Sequence, residues 1–571
     1  MANKSDVFQR LIGLETEYAL LVPSRPDGLR PSRYSLYREL VAVLRRKIPC
    51  ARARNMKEGV FHAAGGAVWF ETERPSLGGG LIEGSTPECR SPRQLVIWQR
   101  AQDALLTEAA HEAFGGAVRL LKNDRDAAGN VYGAQESYEV TLARGWRLAL
   151  WRTMLVLLLP IAALTWLALV LIDKLVEIYA LLAAVIYLAA ERFLPRPEWL
   201  ARLLFGCSVK DLATDTPTGP AWLEAILSLV ARMVTAPLAV LLFAGLWLTA
   251  FVPIRRQLTP FLISRAILGG SGMLDAQGHF LLADKAQAMN CLTGFGGLLG
   301  DRPIYCLGHF FKTVYADAWL APQEYWRLAA PRQRLQIGLG DSNLADVAEY
   351  LRVGTTLLVL DVIEAGEMPP VPQVARPIGA LRAVCGDPTL TTRVALAGGR
   401  SASALEIQRF YLEACRRFLE RRPAAPAEAR DLLSCWEAVL DALAEHPERL
   451  VGTLDWVTKR YLLETSGSGA TWEARKKIDL RYHELSPQGY FSRLRNAGVA
   501  PELVSGEELE YARRNPPQGT PAAARGHYIR EWASEEDLIA VNWQAVYLGP
   551  RRDCRVVRLD RPPHRPAERE R

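Results

Sequence analysis

Over most of this chain polar and apolar residues alternate on short periods, but between residues 154 and 254 polar positions all but vanish. Residues 154–172 carry no charge and match the roughly 20 residues that a helix needs to cross a bilayer. A second apolar run, 175–190, follows Asp173 and Lys174 and contains only Glu177; a third, 233–254, is uncharged and ends at Arg255 and Arg256. All three read as membrane helices. Arg144, Arg147 and Arg152 before the runs, Arg192, Arg196 and Arg202 between the second and third, and Arg255 and Arg256 after them are expected on one side with both flanking parts, the cytoplasmic side. If those two parts build one site, the number of crossings is even. Either the chain turns at Asp173 and Lys174, with residues 221–254 bent at Pro237 into a second hairpin, or one run does not cross.

Outside this insert, residues 11–22 (LIGLETEYALLV), 334–341 (RLQIGLGD), 355–363 (TTLLVLDVI) and 258–265 (LTPFLISR) read as strands. Residues 404–422 and 429–446 repeat apolar positions at helical spacing. The mixture predicts an α+β fold. The expected organisation is a catalytic domain in two parts, 1–140 and 258–465, interrupted by a membrane insert, 141–257. A small C-terminal domain, 466–549, and a disordered Arg- and Pro-rich tail, 550–571, complete it.

Composition sharpens this picture. The chain is 49% hydrophobic and 23% charged, and its average hydropathy is zero despite 69 basic and 62 acidic residues, so apolar residues are segregated as the insert requires. A formal charge of +7 with no basic stripe argues against nucleic acid as a partner. The nine cysteines are scattered with no CxxC spacing, which fits reduced cytosolic thiols rather than zinc or disulfides. Residues 1–18 show no signal-peptide pattern, so the catalytic part is expected to begin in the cytoplasm. There is no GxxxxGK[ST] and no HExxH.

Candidate chemistry begins in GLETEY, where Glu15 and Glu17 are two apart and project from one face of a strand. Two carboxylates aimed into one site suit Mg²⁺ and the phosphates it carries, although such a pair is also common on a solvated strand. Further motifs follow in order: LIEGSTPECRSPR (81–93), LKNDRDAAGNVYGAQESY (121–138), IGLGDSNLADVAEYLRVGTTLLVL (337–360), LDWVTKRYLL (454–463), IDLRYHEL (478–485) and NPPQGTPAAARG (515–526). Together the series resembles, nearly end to end apart from the insert, the family of Pup ligases and Pup deamidase/depupylases, carboxylate-amine ligase relatives of glutamine synthetase.

That resemblance implies a curved antiparallel sheet holding ATP and Mg²⁺. It assigns Glu15, Glu17, Glu88 and Glu136 to the metal. The family's catalytic aspartate falls at Glu83, with Glu71 in GGAVWFE as the competing carboxylate. Gln135 replaces the family's histidine, and the segment after Arg302 keeps only that arginine and His309 as candidates. The resemblance also brings Lys459, Arg460, Asp341, Ser342, Asn343 and Arg302 forward as nucleotide contacts. Read from the residues alone, Asp341, Ser342 and Asn343 equally form a turn entering a helix, and His483 is structural. The implied partners are a Pup-like modifier, its conjugates and membrane lipid, and the implied place is the cytoplasmic membrane with the catalytic part in the cytoplasm. The VAEYLRVGTTLLVL segment leans toward the deamidase/depupylase branch. A ligase, a membrane-tethered ligase of small acids and a non-catalytic binder stand as alternatives.

Overall fold

The computed structural model describes residues 7–23, 31–54, 57–71, 80–125, 129–194, 197–208, 219–294, 300–306, 322–467, 469–550 and 553–559. The alternation in residues 11–22 becomes β1 (Ile12–Leu21), in which buried and half-buried positions alternate. Leu14, Thr16 and Tyr18 point into the core, and Glu15 and Glu17 point the other way.

β1 belongs to a 13-stranded sheet. The chain adds β2 (Cys50–Ala53), β3 (Gly59–His62), β4 (Ala67–Glu71), β5 (Leu81–Ser85), β6 (Arg119–Leu121) and β7 (Ala134–Thr141). A separate two-stranded pair follows, β8 (Met273–Leu274) with β9 (Phe280–Leu281), before β10 (Cys291–Gly294), β11 (Pro303–Cys306) and β12 (Arg332–Gly340) rejoin the main sheet. A second small pair, β13 (Arg393–Ala395) with β14 (Ser401–Ser403), precedes β15 (Ile539–Val541), β16 (Ala545–Leu548) and β17 (Arg555–Arg558). The main order is β10-β11-β12-β7-β1-β5-β4-β3-β2-β15-β16-β17, with β6 pairing β1. The sheet is mixed rather than antiparallel throughout, because β10 runs parallel to β11 and β15 parallel to β2. Residues expected to form a separate C-terminal domain thus extend the catalytic sheet. Residues 555–558, placed in the disordered tail by composition, are ordered as β17 because Val546 and Tyr547 offer them a free ladder edge. Residues 560–571 lie outside the described residues.

Helices back one face of the sheet. The helix Pro92–Phe114 meets it through Asp103, which accepts from the Tyr18 hydroxyl at 2.7 Å. The helix Asp346–Glu364 is buried along nearly its whole length. It contains TTLLVLDVI, read above as a strand. A helix surrounded by protein has no polar stripe, so its β-branched run lacks helical periodicity and only its tertiary setting reveals it. LTPFLISR is likewise part of a buried helix, Val252–Ser264. Residues 404–422 and 429–446 do form the amphipathic helices Ala404–Glu420 and Ala427–Glu445, the first opened by a capping box between Ser403 and Glu406.

The insert does not form the two hairpins expected of it, and Arg192, expected on the side of the flanking parts, follows the far end of the first helix. Trp146–Glu191 is one continuous helix of 46 residues, and Ala221–Thr249 is another of 29. The chain does not turn at Asp173 and Lys174: Lys174 pairs with Glu177 at 2.7 Å, three residues on, and the surrounding leucines and alanines favour helix. Pro237 sits inside its helix without ending it. The two helices pack antiparallel, with Gly245 against Met154 and Tyr179 against Trp222. At the base of this hairpin Phe251 N–H donates to Leu142 O at 2.8 Å, so the chain leaves and re-enters the catalytic part at one point. Trp151 and Arg152 fasten the base to Leu328 and Ala329 carbonyls at 2.7 and 3.0 Å.

Candidate active site

Register decides which polar side chains meet. On the face away from the helices, Glu17 stands opposite Glu83 of β5, and Glu83 opposite Trp69 of β4. Glu71 lies two residues beyond Trp69, on the same face and at the open end of β4. On the other side of β1, Glu15 stands opposite Gln135 of β7, and Arg334 and Gln336 come from β12. The result is a row of four carboxylates, Glu15, Glu17, Glu71 and Glu83, crossing three adjacent strands.

Each carboxylate has an internal partner. Arg334 Nη2 donates to Glu15 at 2.6 Å, and Gln336 donates to Glu15 at 3.2 Å while also bridging to Gln135. Glu17 accepts from Gly133 N–H at 2.7 Å; burial raises its pKa, a shift countered by Lys285 and by that N–H. Lys57 Nζ lies 2.8 Å from Glu83 and also contacts Glu71. Burial pushes the Glu83 carboxyl up to about 7 against the pull of Lys57, and Glu15, Glu71 and Glu17 add to the rise.

The other carboxylates assigned to metal from the sequence are engaged elsewhere. Glu136 follows Gln135 and therefore faces the helices, where Arg265 holds both its oxygens at 2.7 Å and the Tyr138 hydroxyl also donates. Gln135, given less weight beside it, is the residue on the row. Glu88 accepts from Arg525 with both oxygens, at 3.0 and 2.5 Å, and so docks the C-terminal helix Pro521–Glu531 on the sheet.

The expected nucleotide contacts are also drawn elsewhere. Asp341 is fully buried and accepts from Ser271, Asp284 and Lys285 backbone N–H groups. Ser342 N–H donates to Asp124, and the Asn343 amide donates to Asp455. Neither Ser342 nor Asn343 caps the following helix, whose N-cap position is Ala345; the Asp455 carboxylate accepts from Leu344 and Ala345 N–H just before it. Lys459 spends its three donors on Gly272 O, Asp479 and His483, at 2.5, 2.8 and 2.6 Å. Arg460 binds Glu464 and the Pro388 carbonyl in the outer layer. Arg302 precedes β11, which β12 and β7 separate from β1, and His309 lies outside the described residues. Lys57, Arg334 and Gln336 were missed; for the last two the period-2 pattern of RLQIG, polar at 334 and 336 and apolar at 335 and 337, is the signal that locates them.

A cleft of about 800 Å³ between the helix Pro92–Phe114 and residues 485–513 contains none of the row's carboxylates. Chemistry therefore concentrates on the open sheet face. Among the described residues no three His, Cys, Asp or Glu side chains form a closed metal cage. The donor set still fits Mg²⁺, which binds through one or two carboxylates and completes its shell with water and nucleotide phosphates.

The chain is thus an α+β protein with a helix-backed mixed sheet that carries a row of carboxylates on its other face. This chain belongs to the Pup-ligase family: the family's sequence model, described as "Pup-ligase protein", matches residues 10–547. It is an enzyme of the Pup ligase and depupylase kind. A depupylase of Acidothermus cellulolyticus is 26% identical over 95% of this chain and 92% of its own length. A Pup–protein ligase of Acidimicrobium ferrooxidans is 27% identical over 97% and 95%. A Pup deamidase/depupylase of Mycolicibacterium smegmatis is 32% identical over 52% of this chain and 58% of its own. The fold matches the ligase PafA solved in complex with the prokaryotic ubiquitin-like protein Pup, at TM-score 0.64 and 21% identity over 96% of this chain and 89% of that one. It also matches PafA with ADP, at 0.57 and 20% over 93% and 90%.

Proposed function

We propose that this enzyme uses ATP and Mg²⁺ to act on the carboxyl end or isopeptide bond of a Pup-like modifier, in the depupylase direction. The observation that carries the reading is the row Glu15, Glu17, Glu83 and Glu71 on the open face of a family-wide fold. One or two carboxylates drawn from Glu15, Glu17 and Glu83, with the Gln135 oxygen, would hold Mg²⁺, which supplies charge neutralisation of nucleotide phosphate. Glu71 is the base. Its side chain is 26% exposed where Glu83 is 6%, so Glu71 has room to meet a substrate. In hydrolysis the Glu71 carboxylate takes a proton from water, the water oxygen bonds to the isopeptide carbonyl carbon, and the carbon–nitrogen bond breaks as the lysine amine takes a proton. The lean in residues 347–360 supports this direction, and a depupylase aligns over almost the whole chain. Ligation is the second reading, favoured by the Acidimicrobium ligase of comparable coverage; there ATP would phosphorylate the modifier's terminal carboxylate with release of ADP, Glu71 takes a proton from the attacking lysine amine, and phosphate leaves as the amide forms. Incubation with ATP, Mg²⁺ and a Pup-like conjugate separates them: loss of conjugate supports hydrolysis, and new conjugate supports ligation.

We also propose that the hairpin crosses a membrane twice and holds the catalytic part on the cytoplasmic side. Both helices are long and apolar enough to span, and 22% of each apolar window is buried, so neither is an interior helix. Leu157 is 71% exposed and Leu164 67%; in water each such side chain forfeits about 1.5–3 kcal/mol of burial. Arg147, Arg152 and Arg255 mark the near end, and Asp173, Lys174, Glu177 and Glu224 the far end, beside the Tyr179–Trp222 pair. The apolar length between them, residues 153–172, is about 30 Å of helix, the thickness of a hydrocarbon core.

A further inference from the structure

The three cations on the acidic row are held to different degrees. Lys285 is buried and donates to the Ala134 carbonyl at 2.9 Å. Arg334 is tied to Ser137 Oγ at 2.8 Å as well as to Glu15. Lys57 is different. It comes from the link between β2 and β3, outside any ladder, its side chain is 38% exposed, and its described ion pairs are with Glu83 and Glu71 alone. An ammonium paired with Glu83 competes with any cation that Glu83 would bind, and unlike Lys285 it has a path into water.

We propose that Lys57 is the internal counter-cation of the acidic row, a positioning residue that neutralises Glu83 and Glu71 before metal arrives and swings out to solvent when a divalent cation engages Glu83. This rests on the assignment of Glu15, Glu17 and Glu83 to metal. Removing the ammonium leaves the row more negative and takes away its competitor. Metal affinity therefore rises when Lys57 is neutralised. Lys57→Arg keeps the charge but replaces a compact ammonium on a flexible stem with a planar fork, and it retains the competition.

The test is binding of Mn²⁺, without nucleotide, to the full-length protein in detergent, measured for wild type, Lys57→Met, Lys57→Arg and a Glu15→Gln control. Lys57→Met should bind about tenfold more tightly than wild type, and Lys57→Arg within twofold of it. Equal or weaker binding by a folded Lys57→Met overturns the proposal. A second readout needs no variant. Amine acylation of Lys57, followed by mass spectrometry, should rise at least threefold on adding Mn²⁺, and unchanged labelling also overturns it. If Glu15→Gln binds Mn²⁺ as wild type does, or wild type does not bind it, the metal assignment of the row fails instead.

Discussion

Glu83 faces Glu17 between two strands, whereas Glu71 is the last residue of its strand and the more exposed of the two, so their amide variants should fail differently. Glu71→Gln is expected to lower turnover by about 10²-fold or more while nucleotide affinity stays near wild type. Glu83→Gln and Glu15→Gln are expected to weaken Mg²⁺-nucleotide binding at least tenfold, by equilibrium binding, with the melting curve retained. Asp479 offers a stability test away from the row. Burial acts to raise its pKa, but Lys459 and Lys476 outweigh that and hold it at about 2, below its ordinary 3.8. A depressed carboxylate stabilises the fold above its unfolded pKa and loses that contribution as pH falls through the folded value. Wild type should therefore lose about 2 kcal/mol between pH 4 and pH 2 that Asp479→Asn lacks. At pH 7 the same variant strands the Lys459 ammonium and should cost about 3 kcal/mol in denaturant unfolding. At this scale Glu15 and Glu17 were legible from strand parity, and Glu83 and Glu71 came forward only through the family resemblance. Parity also assigns Gln135 to the row and Glu136 to the core, a step the motif obscured. The burial of Asp341, Asn343 and Lys459 was not legible, since their partners Ser271, Asp455 and Gly272 lie far along the chain.

The insert is the element whose existence the sequence made plainest and whose form it left open. Hydropathy marks the apolar runs, but nothing in residues 173–174 distinguishes a turn from a helix bearing one ion pair; the continuity of Trp146–Glu191 follows from the local Lys174–Glu177 contact and from packing against Ala221–Thr249. Because Leu142 and Phe251 are hydrogen-bonded at the base, the hairpin can be excised there without stretching the catalytic sheet. Replacing residues 146–249 with a short glycine linker should yield a folded protein that no longer sediments with membranes at high salt, whereas wild type should remain in that fraction. A wild type that stays in the soluble fraction contradicts the anchoring. A deletion reaching residue 256 would cut into Val252–Ser264, where Ile254 is buried, and is expected to unfold the chain.

Across the whole molecule the C-terminal segment closes the architecture. β15 pairs with β2, and Arg525 joins Glu88 while lying over the Phe61 and Trp543 rings. Arg525→Ala, which leaves Glu88 unpaired and removes both ring contacts, should lower stability by about 3 kcal/mol in denaturant unfolding. The family motifs from GLETEY to NPPQGTPAAARG made this fold recognisable in order, while the parallel pairing of β15 with β2 joins residues hundreds of positions apart, and β17 is ordered on the edge that β16 then offers it. The central claim is that this sheet processes a Pup-like modifier at Glu71. Its most direct measurement is the fate of a purified Pup-like conjugate incubated with the full-length protein, ATP and Mg²⁺, beside the Glu71→Gln variant. Release of the modifier by wild type and its loss in Glu71→Gln is the predicted result; tight nucleotide binding with the conjugate untouched, and none formed from free modifier, would contradict it.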